Sequence, residues 1–133
     1  MSDLNITASQ VQGEVSVTIL HLQGQLDGST ENQLLDRARE AHEDGASHLL
    51  LDLSEVTMLT SAGLRAIHNI FKSFTPEADV DLIHEHKEPY KSPYFKLVCP
   101  NPQVYYVLNI SGFLQNIPIY NDMDDAINSF KGN

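Results

Sequence analysis

Residues 49–67 read LLLDLSEVTMLTSAGLRAI, and the passage from strand to helix inside this stretch decides the fold. From His48 to Leu53 the chain is almost continuously apolar, as expected of a strand in a parallel sheet covered on both faces. Glu55–Thr60 reads as a turn, and a helix begins near Ser61. Leu64, Ile67, Phe71 and Phe74 then recur at helical spacing, one stripe facing a core; Pro76 ends the run. The strand carries the chain to the carboxyl edge of a sheet, where ligands and partners meet open α/β folds. Thr60 or Ser61 caps the helix, and Gly63 keeps its first turn free of bulk. A hydroxyl here lies beside unpaired N–H groups and the positive end of a helix dipole, so an added phosphate is tolerated. A Ser or Thr at a helix start is most often only a cap, so local geometry by itself favours capping over modification.

Outward from this junction the pattern continues. Leu4, Ile6 and Ala8 alternate with polar residues, Gln12-Gly13 turns, and Val15, Val17 and Ile19 alternate again. These two strands are too close for a helical crossover and form an antiparallel hairpin. A loop, Gly24–Ser29, leads to a helix in which Thr30 and Gln33 fit a capping box. Leu34, Leu35, Ala38 and Ala41 give that helix its apolar face, and Gly45 stops it. Thr75–Pro93, with three prolines and scattered charge, reads as an irregular loop insertion. Phe95–Val98 is a strand. Asn101-Pro102 opens a helix with Val104, Val107 and Leu108 inward, closed by Gly112, in which Tyr105 and Tyr106 divide between core and solvent. Ile117–Tyr120 is an edge strand because of its proline. A last helix starts near Asp122, with Asp124 and Asp125 at its positive end. The order β-β-α-β-α-β-α-β-α predicts an α/β fold in which helices pack on a mixed sheet.

The 133 residues predict one domain, 1–133, able to fold without staples. A single cysteine, Cys99, excludes an internal disulfide and a Cys-rich metal site. The start, MSDLNITASQ, lacks the basic and apolar regions of a signal peptide. No apolar run approaches the roughly 20 residues that span a bilayer. A cytoplasmic protein is expected. Eighteen acids against eight bases give a formal charge of −10, which repels nucleic-acid backbones and anionic lipid. The densest basic stretch, Lys87–Lys96, is interrupted by Glu88 and prolines.

LDLSEVTMLTSAGL resembles the signature of the STAS domain of anti-sigma factor antagonists, a strand ending Asp-x-Ser followed by a turn and a Ser-(Ser/Ala)-Gly-Leu helix start. GQLDGST is similar to the family's Gly-x-Leu-Asp-x-x-Thr segment, and PNPQVYYVLNISGF to its third-helix region. The resemblance runs from about Val15 to Phe130 with the same element order. It implies a partner switch: the unphosphorylated protein binds an anti-sigma factor that is also a serine kinase with a histidine-kinase-like ATPase fold, freeing the sigma factor. Phosphorylation blocks that binding, and a PP2C-type phosphatase reverses it. Carried over by position, the phosphoacceptor is Ser61, and Asp27, Thr60, Ser61, Ala62, Gly63 and Arg65 form the partner-binding surface. Nucleotide and metal belong to the partners, so no cofactor is implied for this chain. Two features depart from the family. Thr60 stands where many members have Asp, which makes Thr60 the alternative acceptor, and the connection 75–93 is long. A scaffold subunit of a sensory assembly, or a small subunit of a lipid-transport ATPase, is the alternative function.

Other signals are weaker. His84-Glu85-His86 has no third ligand at zinc spacing and no supporting shell for a hydrolase. Cys99 reads as a buried small hydrophobe. Asp52 suggests a receiver phosphoacceptor, but the further acids and the lysine of that mechanism are missing, so Asp52 is expected to pair with backbone or Ser54.

Overall fold

The computed structural model describes residues 3–85, 90–110, 112 and 115–130. The elements are β1 (Leu4–Gln12), β2 (Ser16–Leu26), α1 (Glu31–Glu43), β3 (His48–Leu59), α2 (Ser61–Phe74), α3 (Glu77–Glu85), β4 (Phe95–Val98), α4 (Pro102–Ile110), β5 (Ile119–Tyr120) and α5 (Met123–Asn128). One sheet has the order β1-β2-β3-β4-β5, with β1 antiparallel to β2 and every other neighbouring pair parallel. The α/β architecture with an antiparallel hairpin follows the expectation.

Each parallel step moves one place in the same direction, so right-handed crossovers return on the same face. The apolar residues of α1, α2 and α4 accordingly join one core with Leu49, Leu51 and Leu53 of β3. Because side chains alternate across a strand, Leu50 points the other way and joins Val17, Ile19, Val98, Ala126 and Phe130 beneath α5. Lys96 lies under α5 too and is only 6% exposed. Its ammonium donates to the Ser129 carbonyl (3.1 Å) and hydroxyl (2.9 Å) and sits 4.4 Å from the Phe130 ring centre. Burial lowers its pKa from the usual lysine value.

Both central strands outrun their expected ends. β2 includes Gly24, Gln25 and Leu26, and β3 continues through Glu55–Thr57 to Leu59, where a turn was expected. Two register shifts between β2 and β3, at His21/Gln23 and Gly24/Gln25, insert extra β3 residues and break the alternation that marks a strand in sequence. The bulged region also brings Gly24 (φ 125°) so close to the Asp3 carbonyl that a Cβ would collide with it.

The expected capping box does not form. Thr30 occupies the N-cap of α1 without a capping hydrogen bond; its buried hydroxyl donates to Gln25 O (2.8 Å) and accepts from Asp27 N–H (3.0 Å). Gln33 reaches Leu4 O instead, at 2.6 Å. The stretch 75–93 is not an unbroken loop: α3 lies within it, and Tyr90 donates to Asp79 at 2.6 Å. Burial and the Asp79 carboxylate together push the Tyr90 phenol well above its usual range. The cap at Asn101 is as expected, its Oδ1 accepting from the N–H groups of Gln103 (2.9 Å) and Val104 (3.4 Å). Tyr105 and Tyr106 do not divide between core and solvent; both are exposed, since Val104 and Leu108 supply the buried face.

Replacing Lys96 by Met keeps the stem but removes the ammonium that holds Ser129. Urea denaturation should show a loss of about 1–3 kcal/mol, with α5 amides exchanging faster than those of β3.

Candidate functional site

The paired ends of β2 and β3 build the turn at Ser61. Thr60 donates its N–H to Leu26 O at 3.1 Å, and Leu64 N–H opens the helical ladder by donating to Thr60 O at 3.0 Å. Ser61, Ala62 and Gly63 therefore form the first turn, whose N–H groups precede that ladder. Gly63 is buried against the end of β2: a Cβ there would lie 2.7 Å from Leu26 O and 2.7 Å from Leu59 Cδ1. Gly28 lies over the same turn, close enough for a Cβ to come within 3.9 Å of Ala62 Cβ.

Ser61 is exposed. Thr60 is extended at the N-cap (φ −110°, ψ 177°) but makes no capping hydrogen bond. Its Oγ1 is buried and unpartnered among the described residues. Of the two hydroxyls considered from the sequence, only that of Ser61 belongs to an exposed residue.

Asp27 follows Leu26 directly and is held in its own loop. Its Oδ1 accepts from Ser29 N–H (2.9 Å) and the Ser29 hydroxyl (2.7 Å), while its carbonyl accepts from Glu31 N–H (2.9 Å). One turn along α2, exposed Arg65 reaches the Glu31 carboxylate of α1 at 3.4 Å. Asp27, Thr60, Ser61, Ala62, Gly63 and Arg65 thus share one corner of the molecule. Sequence reasoning missed Gly28 and Glu31, whose signal is long-range. Met58, within the stretch expected as a turn, is a β3 residue 45% exposed two residues before Thr60.

On the α5 side of the sheet, Asp52 does pair with Ser54, whose N–H (3.0 Å) and hydroxyl both reach Oδ1. Its other oxygen meets His21 Nδ1 at 2.9 Å, and His21 Nε2 meets Ser9 Oγ at 3.1 Å. Burial raises the Asp52 pKa, but the hydrogen bonds from Ser54 and His21 outweigh it and hold the carboxyl below its usual value. These contacts link β1, β2 and β3 across the surface of the sheet.

Cys99 is buried, as expected; its thiol donates to Asn101 O at 3.7 Å, and burial pushes its pKa up. No group of three or more His, Cys, Asp or Glu able to hold a metal occurs among the described residues. His86 of the His84-Glu85-His86 motif lies outside them. No helix among the described residues is long and apolar enough to cross a membrane.

A family model described as the STAS domain matches residues 8–83. No curated protein matches the chain. Among solved structures, it is similar to an anti-sigma factor antagonist from Mycobacterium paratuberculosis (TM-score 0.73, 21% identity, 96% of each chain). It is similar also to the anti-sigma factor antagonist SpoIIAA in its unphosphorylated form (TM-score 0.64, 16% identity, 97% of this chain and 100% of that one). The murine anion transporter Slc26a9 contains a similar region (TM-score 0.65, 16% identity, all of this chain and 23% of that one). At these identities the likenesses show the fold.

Gly63→Ala should lower stability by about 1–3 kcal/mol and displace the α2 start, read by urea titration and by Ser61–Leu64 amide shifts. Asp52 gives a pH-dependent test. A carboxyl whose folded pKa is depressed stabilises the fold above its unfolded pKa, ordinarily 3.8, and that stability disappears as pH falls through the folded pKa. The melting temperature of the wild type should therefore fall more steeply below about pH 5 than that of Asp52→Asn.

Proposed function

The chain belongs to the STAS domain family, and on that premise we propose that it is an anti-sigma factor antagonist, residues 1–133 acting as one module whose binding surface is the turn at Ser61. It works by binding rather than catalysis, in the cytoplasm. The unphosphorylated form engages an anti-sigma factor that is also a serine kinase; phosphate on Ser61 releases it, and a PP2C-type phosphatase restores binding. Transcription is thereby regulated without contact between this chain and nucleic acid. The observation that carries the reading is the exposed Ser61 on the first turn of α2, beside the Asp27 loop and one turn from Arg65.

The chemistry of the turn suits a switch that leaves the fold intact. A phosphate adds about −1.5 to −2 charges. The N–H groups and positive end of α2 stabilise it, while Asp27 and acidic groups of a partner repel it. Neither Ser61 nor its hydroxyl takes part in the core, so the effect falls on association. Thr60, with its hydroxyl buried, is the poorer acceptor.

A second reading, favoured by the likeness to a segment of Slc26a9, makes the chain an unmodified STAS subunit of a transporter or scaffold. Incubation with the cognate kinase and ATP separates the two. The first reading expects one phosphate, on Ser61, lost in Ser61→Ala, and kinase binding weakened by about tenfold or more, equivalent to about 1.4 kcal/mol, with unchanged circular dichroism. A stable complex in which Ser61 stays unmodified supports the second reading. Phosphorylated protein that unfolds, or binds equally well, overturns the switch.

A further inference from the structure

β1 lies at the edge of the sheet, and its free side can be assigned residue by residue. The Asp3 carbonyl accepts from Gln25 N–H at 3.0 Å, and the register from Leu4 opposite Gly24 to Gln12 opposite Ser16 is unbroken. In an antiparallel ladder alternate residues turn both backbone groups toward the neighbour. Asp3, Asn5, Thr7, Ser9 and Val11 therefore face β2, and Leu4, Ile6, Ala8, Gln10 and Gln12 face outward. Helix α1 occupies the first two outward positions: Gln33 donates to Leu4 O (2.6 Å) and Arg37 to Ile6 O (2.9 Å). Ala8, Gln10 and Gln12 are exposed.

Soluble proteins guard open edges with charge, proline or a bulge. Here residues 4–13 contain no charged residue and no proline, in a chain of formal charge −10, and the β1–β2 register has no bulge. Guarding stops where α1 stops reaching.

We infer that Ala8–Gln12 pairs antiparallel with the same segment of a second copy of this chain. The free positions set the register. An overlap centred on Ala8 would displace Gln33 and Arg37 from their carbonyls, whereas one centred on Gln10 uses only groups that no described residue occupies, with Gln10 opposite itself and Ala8 opposite Gln12. Such a contact is two-fold and self-complementary, and it joins two sheets into one. Beside this edge an open groove of about 320 Å³ runs along α1, lined by Arg37, Glu40, Ala41 and Asp44. The two-fold turns each groove toward the other, offering Arg37 of one copy the acids of the second. This mixed lining favours a second copy over a surface of single sign. The contact is short, so the dimer is weak and concentration-dependent. Salt screens the few Arg37–carboxylate attractions too, but repulsion between two chains of formal charge −10 is the larger effect, so association strengthens as salt rises.

Sedimentation of the full chain over a concentration series should show a monomer passing to a dimer, more readily at high salt. Gln10→Pro removes an outward N–H and should weaken association by about tenfold or more, with the melting curve checked alongside. Should that variant misfold, Gln10→Cys decides: paired Cα atoms lie about 5.5 Å apart across such a ladder, within disulfide range. Mild oxidation should then yield a covalent dimer, while Thr7→Cys, on a residue that faces β2, stays monomeric. A chain that remains monomeric at about 1 mM, where even weak contacts are populated, overturns the proposal. So does a dimer that neither Gln10→Pro weakens nor Gln10→Cys traps, and so does an edge filled only by a segment of another protein.

Discussion

The Leu26 carbonyl accepts a hydrogen bond from Thr60 N–H at 3.1 Å, and the same oxygen would lie only 2.7 Å from a Cβ at position 63. Those two facts constrain the corner of the molecule that carries the candidate site. The first continues the β2–β3 pairing to the last residue of each strand, so the loop after β2 and the helix after β3 must leave the sheet side by side. The second requires α2 to begin in contact with the end of β2, which only glycine permits. The loop that begins at Asp27 and the helix that begins at Ser61, far apart in sequence, are brought to one corner by that pairing. A bulkier residue at 63 would act on this juxtaposition before it acted on the core.

The two faces of the sheet serve different ends. Leu49, Leu51 and Leu53 close the larger core beneath α1, α2 and α4, while Leu50 anchors the smaller one beneath α5. The same alternation points Asp52 to the α5 side, beyond the cluster α5 buries. There Ser54 and His21 satisfy its oxygens, and Ser9 extends the contacts to β1. A half-buried carboxylate is tolerated because its hydrogen bonds outweigh its desolvation. The result is a polar surface spanning three strands, stiffened by its own contacts.

Much of this could be read from residue spacing, and the failures have physical causes. The stripe Leu64, Ile67, Phe71, Phe74 located α2 because a helix packed on a sheet must repeat its apolar residues. The ends of β2 and β3 were hidden because bulges destroy alternation, and polar residues such as Ser54, Glu55 and Thr57 then resemble a turn. Thr30 and Gln33 had the spacing of a capping box, yet both side chains found stronger demands on the sheet, at Gln25 O and Leu4 O. Helix α3 holds no proline itself, but Pro76 before it, Pro89 after it and its own scattered charge concealed it. The members of the candidate site on α2 were legible, since they adjoin one another in sequence. Glu31 was not, because its contact with Arg65 spans two helices and leaves no local trace.

Thr60 and Ser61 show why exposure matters more than residue type in this turn. Both carry hydroxyls, and either fits a helix start. The N–H of Thr60 is committed to β2, which turns the residue inward and leaves its hydroxyl buried without a partner among the described residues. That is an unfavourable arrangement for a threonine, retained where the chain must be extended at the N-cap and continue a strand pairing in the same residue. Ser61, one position later, has no such duty and remains open to solvent. A charge placed on it would meet the unpaired N–H groups of the first turn on one side and the Asp27 loop on the other. Stabilisation toward the helix and repulsion toward the loop then act at one point on the surface, so its charge state can change what approaches without changing what lies beneath.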